Sequence, residues 1–296
     1  MSARRSDIAL FADTDCDITP EMVREWGYHL IPMPYSLNGV EIFPYEDGKD
    51  IDIAAFYAEL KKGVVPKTSG LSPSKYISLF EPVLKEGKDI LYPHFSSKLS
   101  GTFSAMKIAI DTLKEKYPER TIYAIDTKAI TGLALCMLDD IARIADQGKS
   151  IPEIIAEFEA TVLNSYSLYA FASDLQFFRR SGRLSGISAF MGSMLSIRPL
   201  ISIDDEGRMG AVGKAVGRQG AISKIQSAID KLGVEIAKHP LYIVHSDNLP
   251  AAQELAAYIE RKYGAEPRII WINPTAGVHC GPGCLGVAFH ALRRQM

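Results

Sequence analysis

Hydroxyl side chains crowd into two short segments, Thr68-Ser69-Gly70-Leu71-Ser72-Pro73-Ser74 and Ser96-Ser97-Lys98-Leu99-Ser100-Gly101-Thr102. Each leads into a helical pattern. One reading is helix capping, because the N–H groups of a first turn need acceptors and Pro73 suits the first helical position. The other is anion binding, because hydroxyl donors beside a helix N-terminus favour a carboxylate or phosphate. The second segment directly follows a strand-like run, the place where open parallel sheets bind ligands. Its four hydroxyls in seven residues exceed what a capping turn needs.

A third candidate is the turn Val278-His279-Cys280-Gly281-Pro282-Gly283-Cys284-Leu285-Gly286. Gly281, Gly283 and Gly286 match a dinucleotide fingerprint in form, but no acidic residue follows at the distance that would hold a ribose. Cys280 and Cys284 are one residue wider apart than a thioredoxin-like pair. The turn then reads as one that brings backbone N–H groups and His279 to a small anionic head group. Arginines cluster at Arg179-Arg180-Ser181-Gly182-Arg183 and at Gly217-Arg218. Exposed arginines are commonly just solvated, whereas one beside an anion site offers a planar fork to carboxylate or phosphate; Arg183 is better placed than Arg218. No serine sits in a G-x-S-x-G elbow, and no Walker-type phosphate loop is present. His94, His239, His245, His279 and His290 lack metal-ligand spacing, so no metal is expected.

The elements that must position these groups alternate. Strand-like runs fall at residues 6–12, 29–33, 89–92, 121–125, 168–172, 241–244 and 268–272. Helical patterns fall at 53–62, 73–85, 102–117, 133–147, 151–164, 249–263 and 283–293, and Thr19-Pro20-Glu21 opens a further helix. Such alternation predicts parallel sheets with helices on both faces. Residues 35–52, rich in Asn, Gly, Pro and acids, read as an irregular surface loop. The Gly- and Ser-rich segment 181–220 holds an apolar stretch, with Phe190, Met191, Met194 and Leu195, that reads equally as a core helix or as the adaptable wall of a cavity.

A length of 296 residues predicts about two domains, divided near Asn164-Ser165. With 47% apolar and 23% charged residues the chain should fold throughout. Thirty-three basic against 35 acidic residues leave no positive excess for nucleic acid. The first apolar run breaks at Asp13, too early for a signal peptide, and no run approaches a bilayer span, so a cytoplasmic protein is expected, with at most transient membrane contact.

In order along the chain, these segments resemble the DegV family. The resemblance rests on Asp13-Thr14-Asp15-Cys16-Asp17, Pro66-Lys67-Thr68-Ser69 with Pro73-Ser74, Ser96-Ser97-Lys98-Leu99-Ser100-Gly101-Thr102 and Asp126-Thr127-Lys128. It continues in Ser181-Gly182-Arg183-Leu184-Ser185, Arg198-Pro199-Leu200-Ile201 and His279-Cys280-Gly281-Pro282-Gly283. The family's usual Thr-Ser-Gln-Pro-Ser departs here to Thr68-Ser69-Gly70-Leu71-Ser72-Pro73-Ser74. The resemblance implies an α/β protein of two lobes: residues 1–164, with a largely parallel sheet flanked by helices, and 165–296, a second α/β lobe, with a ligand between them. It implies a buried long-chain fatty acid whose carboxylate meets Thr68, Ser97 and His279, supported by Ser69, Ser96, Ser100, Gly101 and Arg183. Arg218 would face a docked partner, an ATP-dependent fatty acid kinase subunit. The chain would then be a non-catalytic carrier without a cofactor. The competing expectation is an acyl or phosphoryl transferase that uses Ser97 and His279.

Overall fold

A computed structural model describes residues 7–186 and 197–295. Phe190, Met191, Met194 and Leu195, read from the sequence as a cavity wall, lie outside the described residues. Among the described residues, strands β1 (Ile8–Asp13), β2 (Tyr28–Ile31), β6 (Asp89–His94) and β7 (Ile122–Asp126) form a sheet in the order β2-β1-β6-β7, and every pairing is parallel. β1 is buried along nearly its whole length, as its unbroken apolar run requires of a strand covered on both faces. Helix α1 (Pro20–Trp26) joins β1 to β2. Thr19 caps it, Pro20 occupies its first turn, and Gly27 ends it at φ 69°.

A second sheet runs β10-β9-β8-β13-β11-β12, with β8 at Tyr166–Phe171, β9 at Ile197–Ile203, β10 at Met209–Val216, β11 at Tyr242–His245, β12 at Arg268–Trp271 and β13 at Leu285–His290. Here the alternating pattern misleads. Only β11 and β12 pair in parallel; the remaining neighbours are antiparallel. Residues 283–293, expected to be helical, instead supply β13. Their short apolar run is buried between β8 and β11, and a Cβ on Gly286 would stand 3.1 Å from Ala170 and 3.2 Å from Val244. Periodicity alone cannot separate a buried strand from a buried helix over so few residues. The helix lies one step earlier, α10 (Pro274–Cys280), capped by Asn273.

Residues 35–52 also hold more order than expected. β3 (Tyr35–Leu37) and β4 (Val40–Ile42) make a hairpin around Asn38-Gly39, both at positive φ, and β5 (Lys67–Thr68) pairs with β3. An Asn-Gly pair is the usual signal for such a turn. Helices α2 (Ile53–Lys61), α3 (Pro73–Lys85) and α4 (Thr102–Lys116) follow the sequence expectation closely. Helix α5 (Thr131–Asp146) is buried over most of its surface. It packs against β8, β11 and β13, while Tyr28 of the first sheet donates to its Leu138 carbonyl at 2.9 Å. One helix therefore joins the cores of the two sheets. Arg294, also buried, donates to the carbonyls of Lys128, Thr127 and Leu163 and fastens the residues after β13 to the body of the protein.

Candidate functional site: an apolar cavity with a hydroxyl and imidazole rim

The chain turns that leave β1 and β6 meet at the carboxyl end of the parallel sheet, and the acidic first loop ties them together. Asp13 accepts from the Tyr92 hydroxyl at 2.9 Å and from the Phe95 N–H at 3.4 Å. Asp17, at φ 59°, accepts the Asn273 N–H at 2.7 Å, which fixes the start of α10. Thr275 then donates to the Met33 carbonyl at 2.7 Å. These aspartates act as anchors for neighbouring loops. Burial raises the pKa of Asp13 and Asp17 above the ordinary carboxyl range, despite the hydrogen bonds that oppose it.

Between these loops and the second sheet lies a cavity of about 380 Å³. Leu168, Ala170, Ile201, Val244 and Leu285 of the sheet face Phe95, Leu99 and Ile130 across it. The size and the largely apolar wall suit a small-molecule ligand. Polar groups gather along part of its margin: Thr68, Ser69, Ser100, Gly101, Thr102, Arg183 and His279.

Thr68 ends β5 and His279 lies in the last turn of α10, yet Thr68 Oγ1 is 3.1 Å from His279 Nε2. Burial first, and the Arg183 charge second, lower the His279 pKa to about 4, so the ring is neutral at pH 7. Its Nδ1 is buried with no partner among the described residues. An N–H stranded at Nδ1 would cost more than a bare acceptor there, which favours the tautomer with the proton on Nε2. In that state His279 donates to Thr68 Oγ1, and the Thr68 hydroxyl proton is free to point into the cavity.

The other expected site residues divide. Arg183 lines the cavity, with Nε 3.4 Å from the Leu99 carbonyl. Ser69 lines it while donating to Glu41 at 2.8 Å, Ser100 accepts the Thr102 N–H at 3.2 Å, and Gly101 forms the N-terminal boundary of α4. Ser96 is fully buried and donates to the Gly207 carbonyl at 2.7 Å, a link between loops away from the lining. Ser97 is also outside the lining. Its hydroxyl donates to Asp126 Oδ2 at 2.5 Å and its N–H to Oδ1 at 3.2 Å. No hydrogen bond joins Ser97 to His279 among the described residues: the Ser97 hydroxyl is engaged by Asp126 and His279 Nε2 by Thr68. Arg218 opens α8 (Gly217–Leu232), away from the cavity, 3.5 Å from Glu254.

Thr102, in the sequence one of four clustered hydroxyls, has a role that tertiary structure sets: its buried hydroxyl accepts the Leu71 N–H at 3.2 Å and lies 3.0 Å from the Tyr76 hydroxyl, locking the departing Thr68 loop onto α4. What the sequence did not reveal is the apolar wall. Those residues are single positions on separate strands and carry no local signal.

Comparison with known proteins agrees with this architecture. The family model described as uncharacterised protein, DegV family, matches residues 7–292. A DegV domain-containing protein of Clostridium perfringens is 32% identical over 283 residues, 95% of this chain and 96% of that protein. The crystal structure of DegV, a fatty acid binding protein from Bacillus subtilis, superposes with a TM-score of 0.82 at 26% identity, covering 96% of this chain and 99% of that one. A Thermus thermophilus DegV family protein described by its fatty acid binding has a TM-score of 0.83 at 23% identity, covering 97% and 100%.

Proposed function

This chain belongs to the DegV family, and we propose that it holds a long-chain fatty acid in the cavity and offers the carboxylate to a separate ATP-dependent kinase subunit, which converts it to an acyl phosphate. The observation that carries the reading is the Thr68–His279 pair on the margin of an otherwise apolar cavity. The Bacillus subtilis relative, a fatty acid binding protein, supports the ligand class.

The energetics divide the labour. Burying a chain gains about 0.8 kcal/mol per CH₂, on the order of 10 kcal/mol gross for a long acyl group, whereas one hydrogen bond to a carboxylate nets about 1.5–3 kcal/mol. The wall supplies affinity. Thr68, oriented by neutral His279, supplies direction, and Ser100, Gly101 and Arg183 complete the head-group surroundings. Ser97 joins the carboxylate only by exchanging its bond to Asp126. Arg218 is free to serve a docked partner at the cost of a long ion pair with Glu254. In this role the chain acts in the cytoplasm as a carrier, and the chemistry belongs to the kinase.

Native mass spectrometry of protein purified from cells is the direct test. The expected result is a bound acyl mass that denaturation releases and that added palmitate or oleate restores. Protein that stays lipid-free and takes up neither acid would sink the proposal. Formation of acyl phosphate from ATP should require both the loaded chain and the kinase; turnover by the chain alone would favour the transferase reading.

A further inference from the structure

The cavity holds a polar pair that the head-group reading leaves unused. Asp15 lies in the short turn after β1, is 7% exposed, and lines the cavity. Its N–H bonds to Asp13 at 3.1 Å, but its carboxyl has no hydrogen-bond or ion-pair partner among the described residues. The same turn packs against α5, whose first residue, Thr131, also lines the cavity. Thr131 sits at φ 52°, a costly conformation for a β-branched residue, and its hydroxyl likewise has no partner among the described residues. Ile130, at the N-cap, offers no side-chain acceptor to the opening N–H groups of the helix. A Cβ on Gly132 would fall 2.8 Å from Val244 Cγ1, so this helix start is pressed directly onto the second sheet.

Two polar side chains and an uncapped helix start thus border a largely apolar cavity, where water or a ligand must pair with them. They come from other elements than the head-group pair: the turn after β1 and the start of α5, against β5 and α10. Thr275, which joins Met33 beside the Asp15 turn, is four residues before His279 on α10, about 6 Å along the axis.

We propose that Asp15 and Thr131 form a second polar subsite within the cavity, which takes a hydroxyl or keto oxygen carried partway along a long acyl chain. The inference rests on the fatty-acid reading above. Burial first, and the Asp13 charge second, raise the Asp15 pKa well above its ordinary value, which favours the protonated form. A protonated carboxyl can both give a hydrogen bond to the substituent and accept one from it.

The test is binding of stearate and of a panel of monohydroxystearates, differing in hydroxyl position, to the delipidated full chain. At least one isomer should bind about tenfold tighter than stearate, the equivalent of one well-made buried hydrogen bond. Asp15→Leu should abolish that preference while stearate still binds, Asp15→Asn should keep most of it, and Thr131→Ala should reduce it. Should Asp15→Leu fail to fold, Thr131→Ala alone decides. The inference is overturned if stearate binds wild type as tightly as every isomer, or if the preference survives loss of both side chains. If wild type binds neither stearate nor any isomer, the fatty-acid reading falls and takes this one with it.

Discussion

Thr68 Oγ1 and His279 Nε2 lie 3.1 Å apart although 211 positions separate them in the chain, so one hydrogen bond couples the hairpin region to the last helix. In the proposed role each of the two residues orients the other toward the carboxylate. Thr68→Val and His279→Ala should each weaken fatty-acid binding by about tenfold, and the double variant should lose little more than either alone, as expected of coupled groups. Titration calorimetry of the delipidated variants checks this. Fully additive losses would show that the two act separately.

His279 also makes stability depend on pH. Its pKa is about 4 in the folded protein and near 6.5 when unfolded, so between those values the unfolded chain binds the extra proton. The contribution is whole above pH 6.5 and is lost as pH falls to about 4, at most about 3 kcal/mol. Urea denaturation across that window should show a steeper loss for wild type than for His279→Gln. Parallel curves would show that the imidazole is not held neutral.

Ser97→Ala separates the two roles open to that hydroxyl. Removing its bond to Asp126 should cost about 1–2 kcal/mol of stability and leave fatty-acid affinity less affected than Thr68→Val does. Thermal denaturation beside ligand titration reads both. A larger affinity loss than that of Thr68→Val would place Ser97 on the carboxylate.

The difference between Ser97 and Thr68 marks how far the sequence could be read. Caps, turns and unbroken apolar runs are local, which is why β1, α3 and the hydroxyl segments were legible with nearly correct limits. The partner of each hydroxyl was not, because Asp126 and His279 reach their serine and threonine through tertiary structure. Strand direction in the second sheet was hidden for the same reason. β13 is a short apolar run whose neighbours, β8 and β11, decide that it is a strand.

Gly281→Ala probes the backbone beneath the site. Gly281 has φ 69° and ψ −179°, a conformation essentially confined to glycine, and an added Cβ would meet Phe177 Cδ2 at 2.2 Å. Phe177 belongs to α7 (Leu175–Ser181), which leads to Arg183, so relief of the clash displaces both sides of the rim. A loss of about 3 kcal/mol or more in stability, together with weaker binding, is expected from denaturation and calorimetry. An unchanged melting temperature would mean that α7 yields without cost.

The place of β13 in its sheet has a temporal consequence. The strand nearest the end of the described chain lies between β8 and β11, and His279, only a few residues before it, completes the cavity rim. During synthesis, β8, β9 and β10 emerge long before the strand that joins them to β11 and β12. The growing polypeptide must keep two sheet edges open until residues 285–290 leave the ribosome. The cavity wall that Leu285 and Gly286 supply is therefore complete only once this strand has inserted between β8 and β11.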